Sequence, residues 1–204
     1  MFSFDSLESR RLMSGTFVAK SGQFDVDPVP GPQVLISFNQ DVDMDTAWNE
    51  DLRIINTATG EALPAVAQGV SYNSSSRTVG WIFRGALPDG QYRAVLPAGS
   101  VSSTDGQPLG ADATVEFFAL GGDATRDGRV NLDDFNVLAA NFGQSPRRFT
   151  QGDFNYDGRV NLADFDLLAS RFGKSIVTAG SGASPLAGQS STAADDRTAA
   201  DVLA

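Results

Sequence analysis

The chain has 204 residues and a net charge of −10, length enough for one domain of ordinary size and a small second one. It contains no cysteine and no histidine, which excludes disulfides, thiol nucleophiles, Ser-His-Asp triads and Cys/His zinc sites. No apolar run reaches the ~18 residues of a membrane-spanning helix, and no basic patch could follow a phosphate backbone, so neither a membrane span nor nucleic-acid binding is expected.

Residues 1–15 lack an apolar segment of the length a secretory signal uses. Within them, residues 7–13 (Leu-Glu-Ser-Arg-Arg-Leu-Met) resemble the short "LEPR"-type N-terminal motif of bacterial surface and secreted proteins, with Ser9 where that motif has proline. The resemblance implies export. The alternative is a disordered tail with a chance Arg-Arg pair.

Residues 16–120 read as an all-β domain. Val34, Ile36 and Phe38 alternate with Leu35 and Ser37, and Val79, Trp81 and Phe83 with Gly80 and Ile82. Tyr92, Ala94 and Leu96 repeat the pattern, as do Val115, Phe117 and Ala119. Period-2 runs bounded by turn residues at 73–76, 88–90 and 104–106 predict about seven or eight short strands, the signature of a sandwich. The segments at 36–42, 70–78, 87–92 and 107–109 resemble bacterial Ig-like domains of surface-layer proteins. Asp41, Asp43, Asp45, Glu50 and Asp51 could supply paired carboxylates to a glycosidase, but a solvated loop is the expected reading and no catalytic residue is assigned. Trp81, Tyr92, Tyr72 and Trp48 could form a sugar-binding platform, although large aromatics in a sandwich are more often core.

A duplicated block follows. Residues 123–135 (Asp-Ala-Thr-Arg-Asp-Gly-Arg-Val-Asn-Leu-Asp-Asp-Phe) return 30 residues later as 153–165 (Asp-Phe-Asn-Tyr-Asp-Gly-Arg-Val-Asn-Leu-Ala-Asp-Phe). Oxygen-bearing side chains stand at loop positions 1, 3, 5, 9 and 12, with glycine at position 6 making the sharp turn. That spacing lets a 12-residue loop wrap one calcium ion. The expected ligands are Asp123, Thr125, Asp127, the Arg129 carbonyl, Asn131 and Asp134 in the first loop. In the second they are Asp153, Asn155, Asp157, the Arg159 carbonyl, Asn161 and Asp164. Two Ca2+ ions are the expected cofactors. Formal ligand charge is equal in the two loops, so Thr125 against Asn155 predicts a weaker first site.

After each loop, Phe135, Leu138, Ala139 and Phe142, and likewise Phe165, Leu168, Ala169 and Phe172, fall at i, i+3, i+4 and i+7 and predict a short amphipathic helix. Asn131 with Asp134, and Asn161 with Asp164, are spaced as an N-cap and its N3 partner; Gly143 and Gly173 are placed to stop the helices. Val137 and Leu167 lie off the stripe, where they either mark a docking face or pack against a neighbouring element. No helix is predicted before the first loop. Residues 122–174 thus resemble a type I dockerin, the duplicated loop–helix module that plugs into cohesin domains of extracellular bacterial complexes. The resemblance implies a small all-α module of two calcium loop–helix (F-hand) motifs over 121–174 and a cohesin-like protein partner. Dockerins carry part of their recognition at loop positions 10 and 11; Leu132-Asp133 and Leu162-Ala163 depart there from the small hydroxyl pair common in the family.

Residues 175–204 are rich in Ser, Ala, Gly and Thr and read as a disordered tail. The whole is expected to be an all-β Ig-like sandwich followed by an all-α dockerin-like module. Its expected function is non-catalytic: calcium-dependent protein–protein attachment in an extracellular or cell-surface bacterial protein, with polysaccharide contact possible. The alternative is a carbohydrate-binding or purely structural surface module whose calcium loops only stabilise the fold.

Overall fold

A computed structural model describes residues 15–28, 30–64 and 67–176. The motif at residues 7–13 and the tail from residue 177 lie outside the described residues. Seven strands form: β1 (Ala19–Asp25), β2 (Gln33–Phe38), β3 (Arg53–Asn56), β4 (Ala67–Asn73), β5 (Thr78–Phe83), β6 (Gly90–Leu96) and β7 (Ala113–Ala119). They pair into two antiparallel sheets, of order β1-β2-β5-β4 and β3-β6-β7.

Alternation along each strand builds the core. Val34, Ile36 and Phe38 of β2 and Val79, Trp81 and Phe83 of β5 are buried, because side chains two residues apart share a face. Tyr92, Ala94 and Leu96 of β6 and Ala113, Val115 and Ala119 of β7 meet them from the other sheet, with Phe17, Leu52, Ile54, Val101 and Leu109 completing one cluster. Register matters here: Val34 lies opposite Trp81 and Ile36 opposite Val79, so a one-residue slip would turn every one of these side chains to solvent. Both large polar aromatics satisfy their hydrogen-bonding atom. Trp81 Nε1 donates to the Trp48 carbonyl at 3.1 Å. The Tyr92 hydroxyl donates to the Pro88 carbonyl at 2.8 Å, a back-bonded tyrosine of the kind found at the corners of β-sandwiches.

Residues 121–176 correct the expected fold class. The all-α dockerin-like module is not what the structure shows. Among the described residues there are only two short α-helices, α1 (Leu132–Asn141) and α2 (Leu162–Ala169), and the chain is predominantly β-sheet. The rest of this region is turn and loop, with a single 3-10 turn at Phe149–Gln151. Helix is scarce for a physical reason. Each 12-residue loop commits its backbone N–H groups to carboxylates rather than to a helical ladder, and Gly143 (φ +77°) and Gly173 (φ +83°) then take up left-handed backbone just past each helix. The expected stripe is also narrower than its spacing suggested. Leu138 and Leu168 are buried, whereas Ala139, Phe142, Ala169 and Phe172 are exposed. Phe135 and Phe165 meet edge to face, 6.4 Å between centroids, and are half-buried.

The two copies close each other. Val130 N–H donates to the Lys174 carbonyl (2.9 Å) and the Val130 carbonyl accepts from Gly173 N–H (2.8 Å). In the other copy Val160 pairs in the same way with Gln144 (3.1 Å) and Gly143 (2.8 Å). The chain leaving each helix therefore crosses the loop of the other copy. Their shared core takes in Val130, Leu138, Phe149, Phe154, Val160 and Leu168, and it extends to Val26 and Leu120 of the β-region.

Candidate metal centre

Each loop is organised by its first and last aspartates, and all four (Asp123, Asp134, Asp153 and Asp164) are 0% exposed. Asp123 accepts from Asp127 N–H (3.2 Å) and Gly128 N–H (3.0 Å); Asp153 accepts from Asp157 N–H (3.1 Å) and Gly158 N–H (2.9 Å). Asp134 accepts from Thr125 N–H (3.0 Å) through one oxygen and from Asn131 N–H (2.9 Å) through the other. Asp164 does the same with Phe154 N–H (2.8 Å), Asn155 N–H (3.2 Å) and Asn161 N–H (2.9 Å). Asn131 and Asn161 answer as N-caps, accepting from Asp133 N–H (2.7 Å) and Ala163 N–H (2.8 Å). The cap and the loop's last carboxylate are thus one device, joining the loop to the helix it precedes.

Position 3 separates the copies. The Thr125 hydroxyl donates to Asp134 (3.0 Å). Asn155 instead accepts from Asp157 N–H (2.9 Å) and its amide lies 3.2 Å from Asp157. Position 5 is alike in both: Asp127 and Asp157 accept from the N–H of Arg129 (2.9 Å) and Arg159 (2.8 Å). All twelve expected ligand residues lie in these two loops and the first turns of their helices.

The electrostatics of the four buried carboxylates is unusual. No Lys or Arg among the described residues forms an ion pair with any of them. Burial pushes Asp153 up to about 6, against the Gly158 N–H, with the nearby Asp164 and Asp157 charges adding to the rise. Burial likewise raises Asp123, while Gly128 N–H and Arg126 pull it down. Desolvated carboxylates without counter-charge are costly. The donor set, all hard oxygen with carboxylates, a carboxamide or hydroxyl and a backbone carbonyl, fits a calcium-sized cation. The carboxylates are nonetheless turned onto backbone N–H groups, and no three acidic side chains among the described residues close into a ready-made cluster.

Sequence reading missed the residues at loop position 4. Arg126 (φ +62°) and Tyr156 (φ +63°) adopt left-handed backbone, a conformation uncommon outside glycine. The Arg126 guanidinium lies 4.2 Å from the Phe118 ring centroid and donates to the Phe118 carbonyl (3.0 Å). Tyr156 is buried and stacks on Phe149 at 5.7 Å. Neither follows from hydrophobic periodicity. The only sequence signal was an arginine and a tyrosine at matched positions next to two ligands.

The other candidates fall elsewhere. Trp81 and Tyr92 are core and present no platform. Tyr72 is half-buried with its hydroxyl on Asp41 (2.9 Å), and Trp48 is exposed. Asp43 caps the 3-10 turn Met44–Thr46, Asp51 accepts from Trp48 N–H (2.6 Å), and Asp41 pairs with Arg77 (3.4 Å). Val137 and Leu167 are half-buried against the module's core, so they pack rather than face outward. The large apolar side chains that face solvent here are Leu132 (60%), Leu162 (63%), Phe142 (51%) and Phe172 (56%).

No known protein family matches the chain, and no curated protein matches it. Among solved structures, the chain is similar to the N-terminal part of the bacterial S-layer protein SbsC, at 20% identity and a TM-score of 0.42, over 54% of this chain and 25% of that one. Alpha-2-macroglobulin from Escherichia coli, spanning domains MG0-NIE-MG1, is similar at 8% identity and a TM-score of 0.39, over 54% and 34% of the two chains. PcoC, a methionine-rich copper resistance protein from Escherichia coli, is similar at 20% and 0.38, over 51% and 98%. The chain thus spans about a quarter of the S-layer structure it matches. Likenesses this distant carry no functional assignment. No helix among the described residues is long and apolar enough to cross a membrane.

Proposed function

We propose that residues 121–176 bind two calcium ions, one per loop, and that the chain is a non-catalytic, calcium-stabilised attachment protein of the bacterial cell exterior. The observation that carries this reading is the pair of fully buried carboxylates at the ends of each loop, none of them ion-paired to a Lys or Arg among the described residues. A divalent cation supplies the missing positive charge. Asp123, Thr125, Asp127, the Arg129 carbonyl, Asn131 and Asp134 would hold one ion; Asp153, Asn155, Asp157, the Arg159 carbonyl, Asn161 and Asp164 the other. Position 9 reaches the ion through water in loops of this kind. Calcium is plentiful outside the cell, and the N-terminal motif resemblance supports the same location.

Attachment is supported by the four exposed apolar side chains at matched places in the two copies. A protein partner, cohesin-like by the resemblance of these loops to dockerins, would cover them. A second reading, that calcium serves only to stabilise this chain, is favoured by the polar contacts between the loop–helix region and the sheets. Calorimetric titration of the full chain with calcium tests the metal. Two binding events are expected, and none would refute the proposal. A pull-down from the parent cell's extracellular fraction, with and without chelator, separates attachment from stabilisation alone.

A further inference from the structure

We propose that the two calcium loops fasten the loop–helix region to the β-sheets, so that calcium taken up by one stiffens the other; this rests on the calcium reading above. The contact has three parts. At one end Asp27, just past β1, accepts from Thr150 N–H (3.0 Å) and from its hydroxyl (2.8 and 3.0 Å). At the other, Asp89 before β6 accepts from Arg171 Nε (3.1 and 2.9 Å) and from Gly121 N–H (2.9 Å). The third part is the position-4 side chains: Arg126 against Phe118, and Tyr156 on Phe149 in the cluster that also holds Val26 and Leu120.

The loops' geometry makes this contact conditional on the ligands. Arg126 lies between Thr125 and Asp127, and Tyr156 between Asn155 and Asp157, each in the left-handed conformation. That backbone is unfavourable for a side-chain-bearing residue and persists only where its surroundings hold it. A cation gripping positions 3 and 5 holds the turn at position 4 from both sides, and with it the side chain that enters the sheet contact. Binding and docking then reinforce each other, and by linkage each strengthens the other by the same factor.

The chain contains its own reporter. Both tryptophans, Trp48 and Trp81, belong to the β-region and none lies in residues 121–176. Tryptophan fluorescence of the full chain therefore follows unfolding of the sheets alone. In the wild type, calcium at a hundredfold excess over its Kd is expected to raise the tryptophan-reported midpoint by roughly 5–10 °C. In Asp27→Ala/Asp89→Ala, which leaves every ligand in place, calorimetry is expected to show both ions still bound, roughly three- to tenfold more weakly, and most of the midpoint rise lost. Should that variant misfold, Thr150→Val/Arg171→Met removes the Thr150 and Arg171 side-chain donors to the two aspartates from the other side, leaving the Thr150 and Gly121 N–H bonds, and the same losses are expected in smaller degree. Two bound ions with an unmoved tryptophan midpoint in the wild type would overturn the coupling and leave the calcium reading standing. No calcium heat at all would overturn both.

Discussion

Gly152 lies against Leu138 so closely that a Cβ added to it would stand 3.0 Å from the Leu138 Cα. Gly122 makes the same approach to Leu168, at 3.1 Å. Each glycine precedes the first aspartate of its loop and carries positive φ, +101° and +90°. The loop of one copy is thus pressed onto the helix of the other, backbone against backbone.

Alanine at either position meets both a crowded helix and a backbone that L-residues avoid. Gly152→Ala and Gly122→Ala are each expected to lower stability by about 2 kcal/mol or more. Gly60, at φ +75° with open space around it, isolates the backbone part, and Gly60→Ala is expected to cost about 1 kcal/mol. Denaturant unfolding followed by circular dichroism compares them. Equal costs would mean that the approach to the helix is not tight.

The two proposed calcium sites are expected to be unequal. The Thr125 hydroxyl is already donating to Asp134, whereas the Asn155 oxygen accepts from a backbone N–H. The Thr125 hydroxyl keeps lone pairs for a cation while its O–H donates, but it is a weaker donor than a carboxamide oxygen. The second loop should therefore fill first, by a margin of about 1–2 kcal/mol. Thr125→Asn should narrow the gap in a calorimetric titration. Indistinguishable wild-type sites, or no tightening in the variant, would defeat this ligand accounting.

Chelation should cost this chain helix. Calcium binding the folded form alone adds about 2.7 kcal/mol per site at a hundredfold excess over Kd. Asn161→Ala probes the link between ion and helix, since Asn161 is both cap and expected ligand. In chelator the loss should be that of a cap, about 1 kcal/mol. In calcium it should be larger, because the ion-binding contribution falls too. The same loss in both conditions would assign Asn161 to capping alone.

Leu132 and Leu162 offer the cleanest separation of attachment from folding. With 60% and 63% of their surface exposed, Leu132→Asp/Leu162→Asp should change stability by no more than about 0.5 kcal/mol. Calcium affinity should not fall, as neither leucine is a ligand and a carboxylate added beside the loop favours the cation. Capture of a protein partner from the extracellular fraction should be lost. A collapse of calcium-dependent ellipticity would instead make the two leucines structural.

The β-region was the more legible part of the sequence. Val34, Ile36 and Phe38 announce their strand by alternation because a strand's period of two is short enough to survive in six residues. The Asn131–Asp134 and Asn161–Asp164 caps were legible for a similar reason, since a capping box is a local contact at fixed spacing. Helical extent was not. The i, i+3, i+4, i+7 stripe counted Phe142 and Phe172 as core, yet both lie at or beyond the helix ends with more than half their surface exposed. Arg126 and Tyr156 escaped because left-handed backbone in a non-glycine residue has no periodic signal. Gly152 escaped because its reason is a helix from the other copy.

The crossing of each loop by chain from the opposite copy has a consequence for how such a unit can exist. One copy alone has no closed form: Val130 would lack the Gly173–Lys174 segment, and Val160 the Gly143–Gln144 segment. Half of the pair could complete itself only by borrowing its missing edge from a second polypeptide, an exchange that would knit two chains into a dimer. The repeat therefore counts in twos. Loss of either copy should remove both, and the pair should melt in one step, whichever loop is damaged.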